Sequence, residues 1–271
     1  PCLGVGTTIW SFMGHKIMSE VADLFAYYVI NLDKDTVRWQ RINEHLQGQG
    51  IKAERISAVY AADLPSEEIA KVYNVALNEQ QFFLPLKPAE IGCFMSHLKT
   101  LQSFLAQEEK PYAVILEDDV EFIGPVEGYH AQWLSAVQTE KPVMLKLYAR
   151  RPVDGRHTYK FLGANSIRPR LVPLGTQAAV INRAAAQKLL DTWNRFGMPV
   201  DVAYQHWWQH GVEVQVTVPN HINEISEQVG GSNISNKQKF PLSYKAKREL
   251  KRSLFRLVLS IKSRYNYWLS Y

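Results

Sequence analysis

Apolar residues in this chain alternate between short continuous runs and stripes at helical spacing. Phe25 to Leu32 is the first run, followed by Asp33-Lys34-Asp35, a capping signal, and by Trp39, Ile42 and Leu46 one helical turn apart. Gly48 and Gly50 end that helix; Ala53 to Val59 reads as a second strand, and Pro65-Ser66-Glu67-Glu68 opens another helix. Residues 80–87 carry no pattern. From Pro88, the positions Ile91, Phe94, Leu98, Leu101 and Leu105 mark a long amphipathic helix, with Ser96-His97 off its main stripe. Next comes the stretch around which the chain is organised, Ala113 to Val120, in which four strand-formers run into Glu117-Asp118-Asp119. Beyond it we expect a strand over Val143 to Tyr148, a basic turn at Arg150 to Arg156, and a hairpin near Tyr159 and Arg170. A strand from Thr176 to Ile181 should enter a helix over Arg183 to Trp193, and another strand runs from Val212 to Val218. Such alternation predicts an α/β fold, a mixed sheet flanked by helices.

A chain of 271 residues with 46% hydrophobic content supports a sizeable core. Cys2 and Cys93 are too far apart in sequence and context to suggest a disulfide framework or a zinc site, which fits a reducing compartment. No stretch approaches the roughly 18 apolar residues of a membrane span. Residues 1–20 lack signal-peptide features and periodicity, and are read as an extension ahead of a domain over 21–236. Charge alters the picture at the other end. Ten Lys or Arg face one acid from Lys237 onward, leaving 21 basic and 25 acidic residues elsewhere. In this tail Leu254, Val258, Leu259 and Ile261 mix with Arg252, Arg256 and Lys262, and Tyr265, Tyr267, Trp268 and Tyr271 close the chain. That mixture predicts an interfacial helix on anionic lipid; a helix docked on its own domain is the alternative. Since the basic residues are confined to the tail, a nucleic-acid partner is not expected.

Three adjacent carboxylates at the carboxyl end of a strand repel one another and call for a compensating cation. Oxygen-only ligands select a hard ion, Mn²⁺ or Mg²⁺, and two-residue spacing would turn Glu117 and Asp119 to the same side. Arg38 and Arg41, near the start of the first helix, are placed to meet phosphates, or else to line a solvated face. His97 is a candidate substrate contact or a half-buried histidine. Asp201 is a candidate general base or an N-cap to the helix carrying Tyr204, His206, Trp207 and Trp208, whose rings would form a sugar-stacking wall or core. His221 would complete a metal shell or touch phosphate. Gly230-Gly231-Ser232 lacks the Lys-Ser/Thr of a phosphate loop.

Five stretches, in order, resemble glycosyltransferase family 25, the bacterial lipooligosaccharide transferases: YYVINLDKDTVRWQRI (27–42), PAEIGCFMSHLKTLQ (88–102), AVILEDDVEF (113–122), GTQAAVINRAAAQKLL (175–190) and PVDVAYQHWW (199–208). Ala178-Ala179 and the tail stand apart from the shared pattern. The resemblance implies a GT-A-like, Rossmann-like fold, a nucleotide-sugar donor, a divalent metal and inversion at the anomeric carbon; with the basic C-terminal helical tail added, we expect a transfer of galactose or glucose from a UDP-sugar to a lipooligosaccharide core. The family's acidic motif maps onto Glu117, Asp118 and Asp119; joined to the residue reading, this gives Asp201 as the expected catalytic residue, donor contacts at Asn31, Arg38, Arg41, Ser96, His97, Asp118 and Thr176, and Mn²⁺ or Mg²⁺ on Glu117, Asp119 and His221. From the composition of the tail we expect a cytoplasmic enzyme, peripheral on the inner face of the inner membrane and held there by that tail. A nucleotidyltransferase, and a non-catalytic carbohydrate- or membrane-binding protein, remain as rivals.

Overall fold

The computed structural model describes residues 20–161, 164–231 and 242–270. Except for Glu20, the expected N-terminal extension lies outside the described residues, as do Ser232 and the start of the basic tail. Strands β1 (Phe25–Asn31), β2 (Ala53–Ser57) and β3 (Tyr112–Glu117) pair in parallel, with β1 between the other two. Five more strands complete the main sheet: β5 (Val143–Lys146), β6 (Gly155–Phe161), β7 (Ala164–Pro169), β8 (Ala178–Asn182) and β9 (Glu213–Val218). The order is β2-β1-β3-β8-β5-β9-β7-β6. β8 runs antiparallel to both β3 and β5, so the sheet is mixed, and a small ribbon of β4 (Val120–Phe122) and β10 (Ile222–Glu224) stands beside it.

Helices cover both faces. The long helix α4 (Pro88–Ala106) packs with Ile91, Phe94, Leu101 and Phe104 against Tyr28, Ile30, Ala113 and Ile115 on one face. Helix α1 (Thr36–Gly48) and helix α5 (Glu127–Val137) bring Ile42, Leu46 and Trp133 against Tyr27, Val29, Val114 and Leu116 on the other. Strand alternation thus assigns odd residues of β3 to the α4 face and even residues to the α1 face. The sequence pattern anticipated α1, β2 and α4, and the short helix α2 (Ser66–Val72); α3 (Val75–Gln81), α5 and β10 were not anticipated. Helix α6 (Arg183–Thr192) stacks beside α4, and Phe94 lies flat on Phe196 with ring centroids 3.9 Å apart.

One close approach fixes α4 against the sheet edge. A Cβ on Gly92 would fall 2.3 Å from the Val59 carbonyl oxygen, so only glycine allows the segment Val59–Ala61 to lie on the helix. One turn further, Ser96 accepts the Val59 N–H at 2.8 Å and donates to Gly92 O at 2.7 Å.

Short helices α7 (Val200–Gln205) and α8 (Trp207–His210) precede β9. The last helix, α9 (Leu242–Leu269), docks on the domain through Phe255 against Phe82 and Phe83, through buried Leu259, and through Ser263, which donates to Arg170 O at 2.6 Å. Its opposite side leaves Leu250, Leu254, Leu257, Val258, Ile261, Tyr265 and Trp268 exposed, a continuous stripe at helical spacing. The alternative expected for the tail, a helix docked on its own domain, is what the structure contains, and that helix is amphipathic. No described helix is long and apolar enough to cross a membrane.

Candidate active site

Two neighbourhoods meet where β3 ends. Glu117 continues the alternation onto the α4 face, shared with Ile115, and Asp118 falls on the α1 face, shared with Leu116. The chain then turns at Asp118-Asp119 before β4, so two-residue spacing no longer applies. This corrects the expectation that Glu117 and Asp119 turn to the same side.

On the α1 face, Arg38 lies 3.0 Å from both Asp118 Oδ1 and Asp119 Oδ2, and all three side chains are largely buried. Asn31 donates to Asp118 Oδ2 at 2.7 Å and accepts from Arg55 at 2.7 and 2.9 Å. Burial and the neighbouring Glu117 push the Asp119 carboxyl up to about 7, with Arg38 opposing. Burial likewise raises Asp118. One guanidinium therefore under-compensates three acids, and Asp119 Oδ1 is buried without a hydrogen-bond partner among the described residues. Such an orphaned oxygen in an acidic pair suits a hard divalent ion. Arg41 points elsewhere, donating to Val120 O at 2.9 Å and lying 3.8 Å from Glu121; it latches α1 to β4 rather than joining the pair.

On the α4 face, Thr176 donates to Glu117 Oε1, and His97 Nε2 stands 3.7 Å from the same oxygen. Burial works against ionising Glu117, yet His97, Thr176 and Arg38 together hold its carboxyl below the ordinary value. Ser96 is spent on the Val59 and Gly92 backbone and is a structural clamp, not a free donor contact. Asp201 accepts the Gly175 N–H at 3.2 Å through Oδ2 and its neighbour's N–H, Val202, at 2.8 Å through Oδ1. It is not the N-cap of α7, a position taken by Pro199; it lies within the first turn.

His221 does not join either neighbourhood. Its Nδ1 accepts from Trp133 Nε1 at 2.9 Å, its ring stacks on Tyr129 with centroids 3.9 Å apart, and burial depresses it to about 4. It is a core histidine, so the metal role expected of it is withdrawn. The aromatic wall is likewise partial. Tyr204 and His206 are buried, Tyr204 edge-on to Trp193, while Trp207 and Trp208 are half-exposed.

Two residues escaped the sequence reading. Arg55 in β2 holds Asn31, and its only sequence signal was a cation inside a predicted strand. Lys146, fully buried in β5, donates to the Pro173 and Gly175 carbonyls at 2.5 Å each, and burial lowers it to about 8 despite Asp201 and Glu117. A lysine within the apolar run Val143 to Leu147 was the clue.

The model of glycosyltransferase family 25, described as an LPS biosynthesis protein, matches residues 25–204. The chain belongs to this family. All the side chains just described up to Asp201 fall inside the matched span, and the protein is a glycosyltransferase. A comparison with curated proteins gives no match. Among solved structures, the chain is similar to a Drosophila β-1,4-galactosyltransferase 7 mutant in complex with manganese, UDP-galactose and xylobiose, at 10% identity and a TM-score of 0.40, covering 83% of this chain and 79% of that one. It is also similar to a glycosyltransferase involved in glycosylation of the major capsid of PBCV-1, at 12% identity and a TM-score of 0.41, covering 84% of this chain and 98% of that one.

Proposed function

We propose that this family 25 glycosyltransferase is a metal-dependent, inverting hexosyltransferase that moves galactose or glucose from a UDP-sugar to a lipooligosaccharide core. The observation that carries the reading is the Asp118–Asp119 pair, bridged by Arg38 at 3.0 Å on each side, with Asp119 Oδ1 left without a hydrogen-bond partner among the described residues. Asp119 and Asp118 would hold Mn²⁺ or Mg²⁺, which supplies Lewis-acid neutralisation of the charge on the departing UDP, worth several kcal/mol. Glu117 stands behind them, coupled to Asp119 through space.

Arg38 adds a fixed positive charge at the same edge, where no reorganisation is needed as charge develops. Asn31 orients Asp118, and Arg55 orients Asn31. Asp201 is the proposed general base. It takes the proton of the acceptor hydroxyl as that oxygen bonds to the anomeric carbon and the bond to UDP breaks on the opposite side. The Gly175 N–H on its Oδ2 and the Thr176 hydroxyl on Glu117 tie both carboxylates to one segment, which Lys146 fixes from below.

Acceptor delivery is assigned to α9. Its exposed apolar stripe is flanked by Lys251 and Lys262 on one side and Arg256 and Arg264 on the other, all exposed, a pattern that suits the inner face of an anionic membrane. The test is UDP release from a panel of UDP-sugars with and without Mn²⁺. Metal-dependent release from one donor, lost in Asp119→Asn, supports the reading; release of pyrophosphate from a nucleoside triphosphate would point to nucleotidyl transfer, and no release from any donor would sink it.

A further inference from the structure

Cys93 and His97, one turn apart on α4, face the same way as Glu117 on β3. Their ligand atoms, Sγ, a ring nitrogen and a carboxylate oxygen, all lie within 4.8 Å of one another. His97 is 3% exposed, and neither of its ring nitrogens has a hydrogen-bond partner among the described residues. Burying an imidazole without a hydrogen bond on either nitrogen is costly, and structures retain it when something else satisfies the nitrogen. A small, mostly apolar cavity of about 10 Å³ lies on one side of the His97 ring, lined also by Ile115, Met144, Lys146 and Tyr204; Cys93 and Glu117 do not line it, and the cluster lies outside it.

We propose that Cys93, His97 and Glu117 form a second cation site, separate from the Asp118–Asp119 pair, that takes a borderline divalent ion of the zinc class. Distances favour a shared ion over a direct contact. The 3.7 Å from His97 Nε2 to Glu117 Oε1 is too long for a hydrogen bond. Two metal–ligand bonds of about 2.1 Å meeting at a tetrahedral angle span about 3.4 Å, and a sulfur at about 2.3 Å completes three of four positions. Cys93 Sγ lies within 4.8 Å of both other ligand atoms, and the same tetrahedral geometry would hold it about 3.6 Å from each.

Ligand chemistry sets the ion. A thiol, an imidazole and a carboxylate select a borderline ion over Mg²⁺, whereas the oxygen-only Asp118–Asp119 pair selects the reverse. Burial, with Glu117 and Asp201 nearby, keeps the Cys93 thiol protonated in the ion-free protein. Binding therefore forms a sulfur–metal bond, breaks the S–H bond and releases one proton to solvent, with no change of oxidation state. Lys146, the cation facing this cluster, points its ammonium at the Pro173 and Gly175 carbonyls. The inference does not depend on which sugar the enzyme transfers.

Cys2, outside the described residues, would be replaced by serine so that Cys93 is the only thiol. Zn²⁺ is then titrated into the metal-free full chain by calorimetry in two buffers of different ionisation enthalpy. We expect one ion bound and about one proton released, with affinity reduced roughly tenfold or more in Cys93→Ser and in His97→Gln and unchanged in Asp119→Asn. Zn²⁺ should also shield Cys93 from a thiol reagent in the protein with an intact cluster, a readout that needs no variant to fold, and Mg²⁺ should not. Absence of saturable Zn²⁺ binding, binding indifferent to Cys93→Ser, or binding lost in Asp119→Asn would overturn the proposal.

Discussion

The end of β3 and the outward side of α9 each leave something uncompensated among the described residues, and of different kinds. At the first it is charge: Asp118 and Asp119 share one guanidinium, with Glu117 next to them. At the second it is apolar area, seven large side chains in one stripe. Buried charge without a full complement of partners raises the energy of the site itself and is relieved by a small ion or substrate. Exposed apolar area costs little locally and is relieved only by an extended surface. Chemistry and placement are therefore separable in this chain, and variants should divide cleanly between them.

The largest effect should come from Asp201→Asn, where loss of a general base lowers kcat by about 10² to 10⁴ while donor affinity stays intact. A purely structural Asp201 would instead give a lower melting temperature with kcat preserved in the folded fraction. Asp119→Asn should lower turnover by about 10² to 10³ and blunt the response to Mn²⁺, without changing sedimentation with anionic vesicles. Near-normal turnover would remove Asp119 from the site. The reverse profile is expected of Leu254→Ser combined with Ile261→Ser. Each exposed side chain loses about 1.5 to 3 kcal/mol of potential burial, so vesicle partitioning should fall by about 10² or more while turnover on a soluble acceptor is kept. If the double variant still sediments with vesicles, the lipid role of α9 is wrong.

Acid stability sets the end of β3 against the core: Asp119, raised by burial to about 7, binds a proton in the fold before the unfolded chain does and so stabilises the fold as pH falls below 7, whereas the core histidines work the other way. Burial depresses His130, His210 and His221 to about 4 from 6.5, so the unfolded chain binds more protons than the fold between those values. Their neutral forms cost nothing above pH 6.5; stability then falls as pH drops through 6.5 toward 4, by about 1.4 kcal/mol per histidine at pH 5.5. His130→Gln should remove roughly a third of that slope in urea titrations across the range, whereas Asp119→Asn should leave the histidine limb in place.

Strand and helix order was readable because apolar runs and stripes are local signals. The grouping of Arg38 with Asp118 was expected in outline from a cation one turn into the helix after β1. The division between Glu117 and Asp118 was not, because it depends on where β3 stops and the turn begins, a boundary that periodicity does not resolve. His221 misled for a related reason. Its polar neighbours in sequence suggested a loop, but the residues that bury it, Trp133 and Tyr129, arrive from a helix almost ninety positions earlier. Lys146 and Arg55 were legible only as cations in the wrong place. Ser96 looked like a ligand because the backbone it serves, Val59, is distant along the chain.

Gly92 has a bearing on any attempt to redesign this enzyme. Because the Val59 carbonyl fills the space where its side chain would begin, α4 behaves as a keyed shaft. Cys93, Ser96 and His97 ride on the same rod, within five residues of the key. Even alanine at 92 would turn or lift the rod and move all three relative to β3. Libraries aimed at new donors or acceptors will keep their alignment if they vary the loops and leave this missing methyl alone.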